Sequence, residues 1–279
     1  MNVINNPSRR KILKTGIAAI TSTAVMPQKS NAALQPKANG ETRVVAVMGD
    51  YWHPAVSQEL HVRQIFSSNK NWKIYFVHAS RFFTPELISD ADLLITARYG
   101  GADSIGWSSE PIVESRPLGD IFWTDDNADA IIDNVTNRGM AWMAVHCTLF
   151  SGIKKIEDFM GIEPILHQEI QPVVVREINH DHPITRGIEP FFFNLDEQFD
   201  AEIKNPAKTT VLFRTLAVHD QRNALGGWCL EQGKGRIVGL LPGHYQWSYR
   251  IPAYQDIFWR AAHWALRREI PPYHDRGGY

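Results

Sequence analysis

The stretch Met140-Ala141-Trp142-Met143-Ala144-Val145-His146-Cys147-Thr148 constrains the fold of this chain more than any other. Up to Val145 it is apolar at every position rather than at alternate ones, which suits a strand covered on both faces, and Gly139 before it closes the preceding element. Strands of that kind belong to parallel sheets packed between helices. In open α/β sheets, ligands bind just beyond the carboxyl ends of the strands. His146 and Cys147 therefore stand where chemistry is expected, although the same pair also reads as a buried thiol beside a satisfied histidine.

The segments on either side extend the pattern. Residues 43–48 form a buried strand that runs into Gly49-Asp50-Tyr51-Trp52-His53-Pro54, and residues 55–66 look helical. Residues 72–78 have strand composition. Thr84-Pro85-Glu86 carries a helix start, with threonine as cap and proline at the first helical position. Residues 92–97 form a third buried strand. Residues 98–123 lose periodicity and carry Gly100-Gly101, Pro111 and Pro117, as a functional loop or lid does. Thr124 caps the next helix, with Asp125 and Asp126 in its first turn. Later, 154–160 is a short helix closed by Gly161. Segments 172–177, 209–213, 227–231 and 236–241 are strands, and 253–268 is an amphipathic helix. Gln232-Gly233-Lys234-Gly235 is a hairpin turn, because no helix follows to present amides to a phosphate. The alternation predicts an α/β fold: a doubly wound, mostly parallel sheet with helices on both faces and an antiparallel hairpin near the C-terminus. One domain over 42–270 is expected, preceded by a linker at 33–41 and followed by a tail at 271–279.

Among the 279 residues, 29 basic and 30 acidic side chains nearly cancel, which leaves no global field for nucleic acid or an anionic membrane. The amino terminus reads as an export signal. Ser8-Arg9-Arg10-Lys11 is a twin-arginine motif, residues 17–25 are mildly apolar, and Ser30-Asn31-Ala32 suits cleavage after residue 32. The expected partner is the twin-arginine machinery, and the expected location is periplasmic or secreted, with no membrane span in the mature protein. Cys147 and Cys229 are the two cysteines, too few for a disulfide scaffold. They are expected to be buried and reduced.

Taken in order, several motifs resemble the ThuA family, named for trehalose utilisation, whose fold is similar to that of class I glutamine amidotransferases. They are Met143-Ala144-Val145-His146, Asp181-His182-Pro183-Ile184-Thr185-Arg186-Gly187, Asp196-Glu197, Gly233-Lys234-Gly235-Arg236 with Pro242-Gly243-His244, and Arg260-Ala261-Ala262-His263-Trp264-Ala265. The resemblance implies a carbohydrate, particularly a disaccharide, as substrate. It departs from the amidotransferases at the nucleophile elbow, where His146 takes the place of the cysteine and Cys147 follows one residue later. A one-residue shift at a sharp turn redirects the side chain, which argues against Cys147 as a nucleophile.

Four histidines, His53, His146, His167 and His244, fall on loops expected at one edge of the sheet, with Glu169 and Glu197 as nearby carboxylates. Imidazole with carboxylate suits Zn²⁺ or another first-row metal with an open position. The same residues without a metal make an acid–base site, with His146, His244 and Glu197 as the proton-transfer groups. No nucleotide cofactor is expected. Trp52, Tyr99, Trp107 and Trp247 lie in the same loops and offer a stacking surface for a sugar ring. Isomerisation, elimination or hydrolysis of a sugar or keto-sugar fits this set. A non-catalytic carbohydrate-binding protein is the alternative, a cysteine-dependent amidotransferase-like hydrolase is a third reading, and homo-oligomers fit any of them. The Asp181-flanking histidines, His180 and His182, read as a hydrogen-bonded surface turn.

Overall fold

The side chains of the first strand, β1 (Thr42–Met48), are all buried and divide by parity between two cores. Val44, Ala46 and Met48 enter one hydrophobic cluster, and Val45 and Val47 enter the other. Alternating side chains can all be buried only if each face of the sheet has a cover. Helices α1 (Ala55–Ile65) and α4 (Pro252–Ala265) bring Val62, Ile65, Ile257 and Phe258 to the first core. Helices α2 (Asp125–Asp133) and α3 (Lys154–Met160) bring Ala128, Ile131, Ile156 and Met160 to the second. The computed structural model describes residues 35–100 and 122–273. These residues belong to one unit, Leu34–Tyr279. The twin-arginine segment, Trp107 and most of the irregular stretch before Trp123 lie outside the described residues.

The remaining strands are β2 (Trp72–Val77), β3 (Leu93–Ala97), β4 (Ala141–Val145), β5 (Ile162–His167), β6 (Gln171–Arg176), β7 (Phe191–Asp196), β8 (Phe199–Ile203), β9 (Thr209–Ala217), β10 (Arg222–Gln232) and β11 (Gly235–Leu240). Eight of them join β1 in one nine-stranded sheet, in the order β2-β1-β3-β4-β11-β10-β9-β6-β7. From β2 to β11 the pairings are parallel, and β4, which carries the apolar run before His146, lies between β3 and β11 with every residue buried. From β11 onward they are antiparallel. The doubly wound parallel core is thus as expected, but the antiparallel portion is larger than a hairpin. Gln232 pairs with Gly235 across the glycine turn, as its composition requires.

Two local expectations meet different outcomes. The Thr124 side chain accepts the Asn127 N–H and caps α2. Thr84 makes no such bond, and Pro85–Ile88 forms a single 3-10 turn instead of a helix. With β3 starting at Leu93, the chain must re-enter the sheet before a second turn can form. Strands β5 and β8 were not legible as strands. Pro164 sits beside a register shift in that two-stranded ladder, so the period-2 pattern is broken where it would be read. Among the described residues, no helix is long and apolar enough to cross a membrane.

Candidate metal centre at the carboxyl edge of the sheet

Four chain turns bring the site together. After β1, Gly49 adopts φ +83, and a Cβ there would lie 2.3 Å from that of Ala55. Only glycine allows so sharp a turn against the start of α1, and the turn delivers Asp50 and His53. After β4, His146 itself takes a left-handed conformation, φ 49, at the start of a 3-10 turn (His146–Phe150). A non-glycine residue held there is strained, as at the nucleophile elbows of other α/β proteins. After β11, Gly243 at φ +140 turns the chain into His244. Glu197 follows β7, the far edge strand of the sheet.

A buried carboxylate fixes the last two turns relative to each other. Asp196 accepts the N–H groups of Glu197, Gly243 and His244 and the hydroxyl of Ser248. Burial pushes its carboxyl upward in pKa, with the His146 charge and these hydrogen bonds opposing.

The four side chains point their donor atoms at one another. His53 Nε2 lies 3.1 Å from His146 Nε2 and 3.2 Å from His244 Nδ1. Glu197 Oε2 lies 3.2 Å from His244 Nδ1 and 3.5 Å from His146 Nε2. Around an ion bound at roughly 2.0–2.1 Å, tetrahedral ligands are separated by roughly 3.3–3.4 Å. The observed spacings fall around that value, and His53, His146, Glu197 and His244 form a group that could hold a metal ion.

The outer nitrogens decide the tautomers. His53 Nδ1 is 2.7 Å from Asp50 Oδ1, and His146 Nδ1 is 2.8 Å from the Leu241 carbonyl. Burial alone would raise the Asp50 carboxyl, but the His53 contact and the Tyr99 and Trp52 amides hold it at about 2. An ionised carboxylate and a carbonyl only accept, so both Nδ1 atoms carry the hydrogen. The two Nε2 atoms then face each other as lone pairs whenever both rings are neutral. Such a contact calls for a cation between them, either a proton or a metal ion. Burial lowers the pKa of His53 against the pull of Asp50, which favours the neutral ring. For His146, burial also disfavours the charged ring, but the Glu197 hydrogen bond and charge outweigh it and raise the pKa. Glu197 is correspondingly lowered despite burial, by its two histidine partners.

The other expected residues are placed as follows. His167, on β5, is exposed and lies outside the group; Phe199 comes between, its ring centroid 4.8 Å from that of His146 and 6.4 Å from that of His167. The expected fourth histidine donor is therefore not brought in, because β5 pairs with β8 rather than joining the main sheet, and Glu197 stands in its place. Glu169 is exposed beyond β5. Trp52, Tyr99 and Trp247 are exposed at 54%, 40% and 58% on the loops that carry Asp50, Arg98 and His244. Cys147 is buried, and its thiol contacts Asp50 Oδ2 at 3.4 Å rather than His244. Burial, then the Asp50 charge, pushes that thiol well up in pKa, so a thiolate nucleophile is disfavoured. Cys229 is also free and buried, 3.5 Å from His182 Nε2.

Asp50, Asp196 and Arg98 carry no role in the sequence reading. Arg98 is fully buried at the end of β3 and donates to the Gly49 and His78 carbonyls and to Ser80. The available signal was position: Asp196 ends β7, Arg98 directly follows β3, and Asp50 comes two residues after the end of β1.

A family profile described as ThuA, trehalose utilisation, matches residues 43–265. Among solved structures, a ThuA-like protein from Parabacteroides merdae ATCC 43184 superposes with a TM-score of 0.60 at 13% identity, covering 81% of this chain and 90% of that one. A ThuA-like protein from Bacteroides uniformis ATCC 8492 gives 0.60 at 14%, covering 84% and 94%. Agd3, described as a carbohydrate deacetylase, gives 0.53 at 11%, covering 81% of this chain but 32% of its own. At these identities the likeness is one of fold. A search of curated proteins found no match.

Proposed function

The chain belongs to the ThuA family, and we propose that it is an exported, carbohydrate-active enzyme that uses His53, His146, His244 and Glu197 as a divalent-metal centre. The observation that carries this reading is the convergence of four donor atoms at 3.1–3.5 Å. Neutral imidazoles and one carboxylate match a first-row ion such as Zn²⁺. Such an ion, when bound, polarises a sugar oxygen or lowers the pKa of water toward ~7. His53 and His146, the more buried pair, serve as fixed donors. Glu197, with 16% of its side chain exposed, serves as the fourth donor or as the group that takes a proton from the sugar. Trp52, Tyr99 and Trp247 offer apolar faces on the surrounding loops for a pyranose ring. The family description, trehalose utilisation, supports a disaccharide as the substrate class, and a keto derivative of one is the further substrate that this reading includes. The amino-terminal twin-arginine motif supports delivery to the periplasm or the exterior.

The test is elemental analysis of the purified protein combined with a turnover screen of disaccharides and their keto derivatives. The expected result is about one equivalent of metal per chain and turnover that a chelator removes. Turnover that survives chelation would instead favour a metal-free acid–base site. The His146–Glu197 pair supports that second reading, because its proton can take the place of the ion. No metal and no turnover would leave only carbohydrate binding.

A further inference from the structure

The adjacent pair His146-Cys147 is only half used by the centre described above. The left-handed turn at His146 sends the two side chains to opposite ends of His53. His146 Nε2 meets the front of the His53 ring, at Nε2. Cys147 reaches the back, where its Sγ lies 3.4 Å from Asp50 Oδ2 while both Asp50 oxygens contact His53 Nδ1 at 2.7 and 2.9 Å. Asp50, His53 and Cys147 also cluster as three potential ligands in their own right. A separation of 2.7 Å between Asp50 and His53 is that of a charge-assisted hydrogen bond, shorter than the spacing of two ligands on one ion.

Asp50 is almost entirely buried, and backbone amides also donate to it. Oδ1 accepts from Trp52 and His53, and Oδ2 accepts from Tyr99. With Cys147, these contacts join the turns that follow β1, β3 and β4. Besides His53 Nδ1, the carboxylate accepts from these backbone N–H groups and from the thiol. The carboxylate is thereby oriented from three strands before it meets the imidazole.

We propose that Asp50 is a positioning residue that holds His53 with its hydrogen on Nδ1, so that Nε2 faces the centre as a bare donor, and that Cys147 steadies the carboxylate as a thiol. This deepens the metal reading and rests on it for its purpose. The arrangement itself does not require a bound ion. Partners of this kind on ligating histidines change metal affinity by 10–100-fold.

The experiment pairs histidine ¹⁵N NMR of the metal-free protein with Co²⁺ titration, for wild type, Asp50→Asn and Cys147→Ser. The His53 signals are assigned by their absence in His53→Gln. The wild type is expected to show the Nδ1–H tautomer at His53. Asp50→Asn is expected to populate the other tautomer, because its amide can donate to Nδ1, and to weaken Co²⁺ binding 10–100-fold. Cys147→Ser, whose hydroxyl still donates to Asp50, is expected to stay within a few-fold of wild type. An Nε2–H tautomer at His53 in the wild type would overturn the proposal. So would Asp50→Asn with unchanged tautomer and unchanged affinity. If Asp50→Asn does not fold, the wild-type tautomer decides the question alone. If the wild type binds no Co²⁺ but the tautomer responds to Asp50→Asn, the metal function fails and the positioning role stands.

Discussion

At residue 146 a histidine occupies backbone space that costs a β-carbon about 1–2 kcal/mol. Its imidazole is fully buried, with one nitrogen on the Leu241 carbonyl and the other toward His53 and Glu197. Two substitutions separate the strain from the chemistry. His146→Ala keeps the β-carbon and loses the donor, whereas His146→Gly loses both. Both variants are expected to lose retained metal and turnover with unchanged circular dichroism. In urea unfolding, the glycine variant is expected to be the more stable by about 1 kcal/mol. Equal stabilities would show that the turn carries no strain, and full activity in either would remove His146 from the site. At His244 the backbone is pinned by Asp196 independently of the ring. His244→Ala is therefore expected to abolish tetrahedral Co²⁺ absorption while shifting the unfolding midpoint only slightly.

The elements that carry these residues come from both halves of the sheet, and Asp196 is what couples them. It ends β7 at one edge, yet it accepts N–H groups from the turn after β11, near the middle. Asp196→Asn replaces one acceptor oxygen with a donor amid four donors. It is expected to cost about 1–3 kcal/mol by urea unfolding and to weaken metal binding as Glu197 and His244 move apart. Ser248→Ala removes one of those donors and is expected to cost about 1 kcal/mol. If Asp196→Asn left both stability and metal affinity unchanged, Asp196 would not be the coupling group.

For the whole molecule, acid should be destabilising through buried histidines that lie outside the centre. His263, on α4, packs between Trp72 and Trp259 at ring-centroid distances of 5.4 and 4.5 Å. Burial first, then the Arg268 charge, lowers its pKa from 6.5 to about 4, against an opposing backbone contact at Glu269. The folded state thus binds the proton less readily than the unfolded chain. The contribution is fully present above pH ~6.5 and is lost as pH falls toward 4. His61 and His182 are lowered by burial in the same sense. Melting temperature measured across that window is expected to fall with pH, and His263→Gln to flatten the fall. An identical slope in the variant would assign the acid response elsewhere.

The apolar run at 140–145, the first strand at 43–48 and the helices α1 and α2 between them were legible because burial on two faces, strand length and capping are local properties. They were enough for the α/β class and for placing His53, His146 and His244 at one edge of the sheet. Pairing partners were not legible, since Pro164 breaks the period of β5 and nothing local joins β7 to the turn after β11. That is why His167 was expected in the group and why Asp50 and Asp196 had no role. The sequence by itself determined which residue types end the strands. Only the tertiary structure decided that Glu197, from the far edge strand, completes the set and that Asp50 stands behind His53. Those contacts span 47 positions or more between Asp196 and Gly243 and 97 between Asp50 and Cys147. Contacts that far apart arise from sheet order and not from any neighbouring residue.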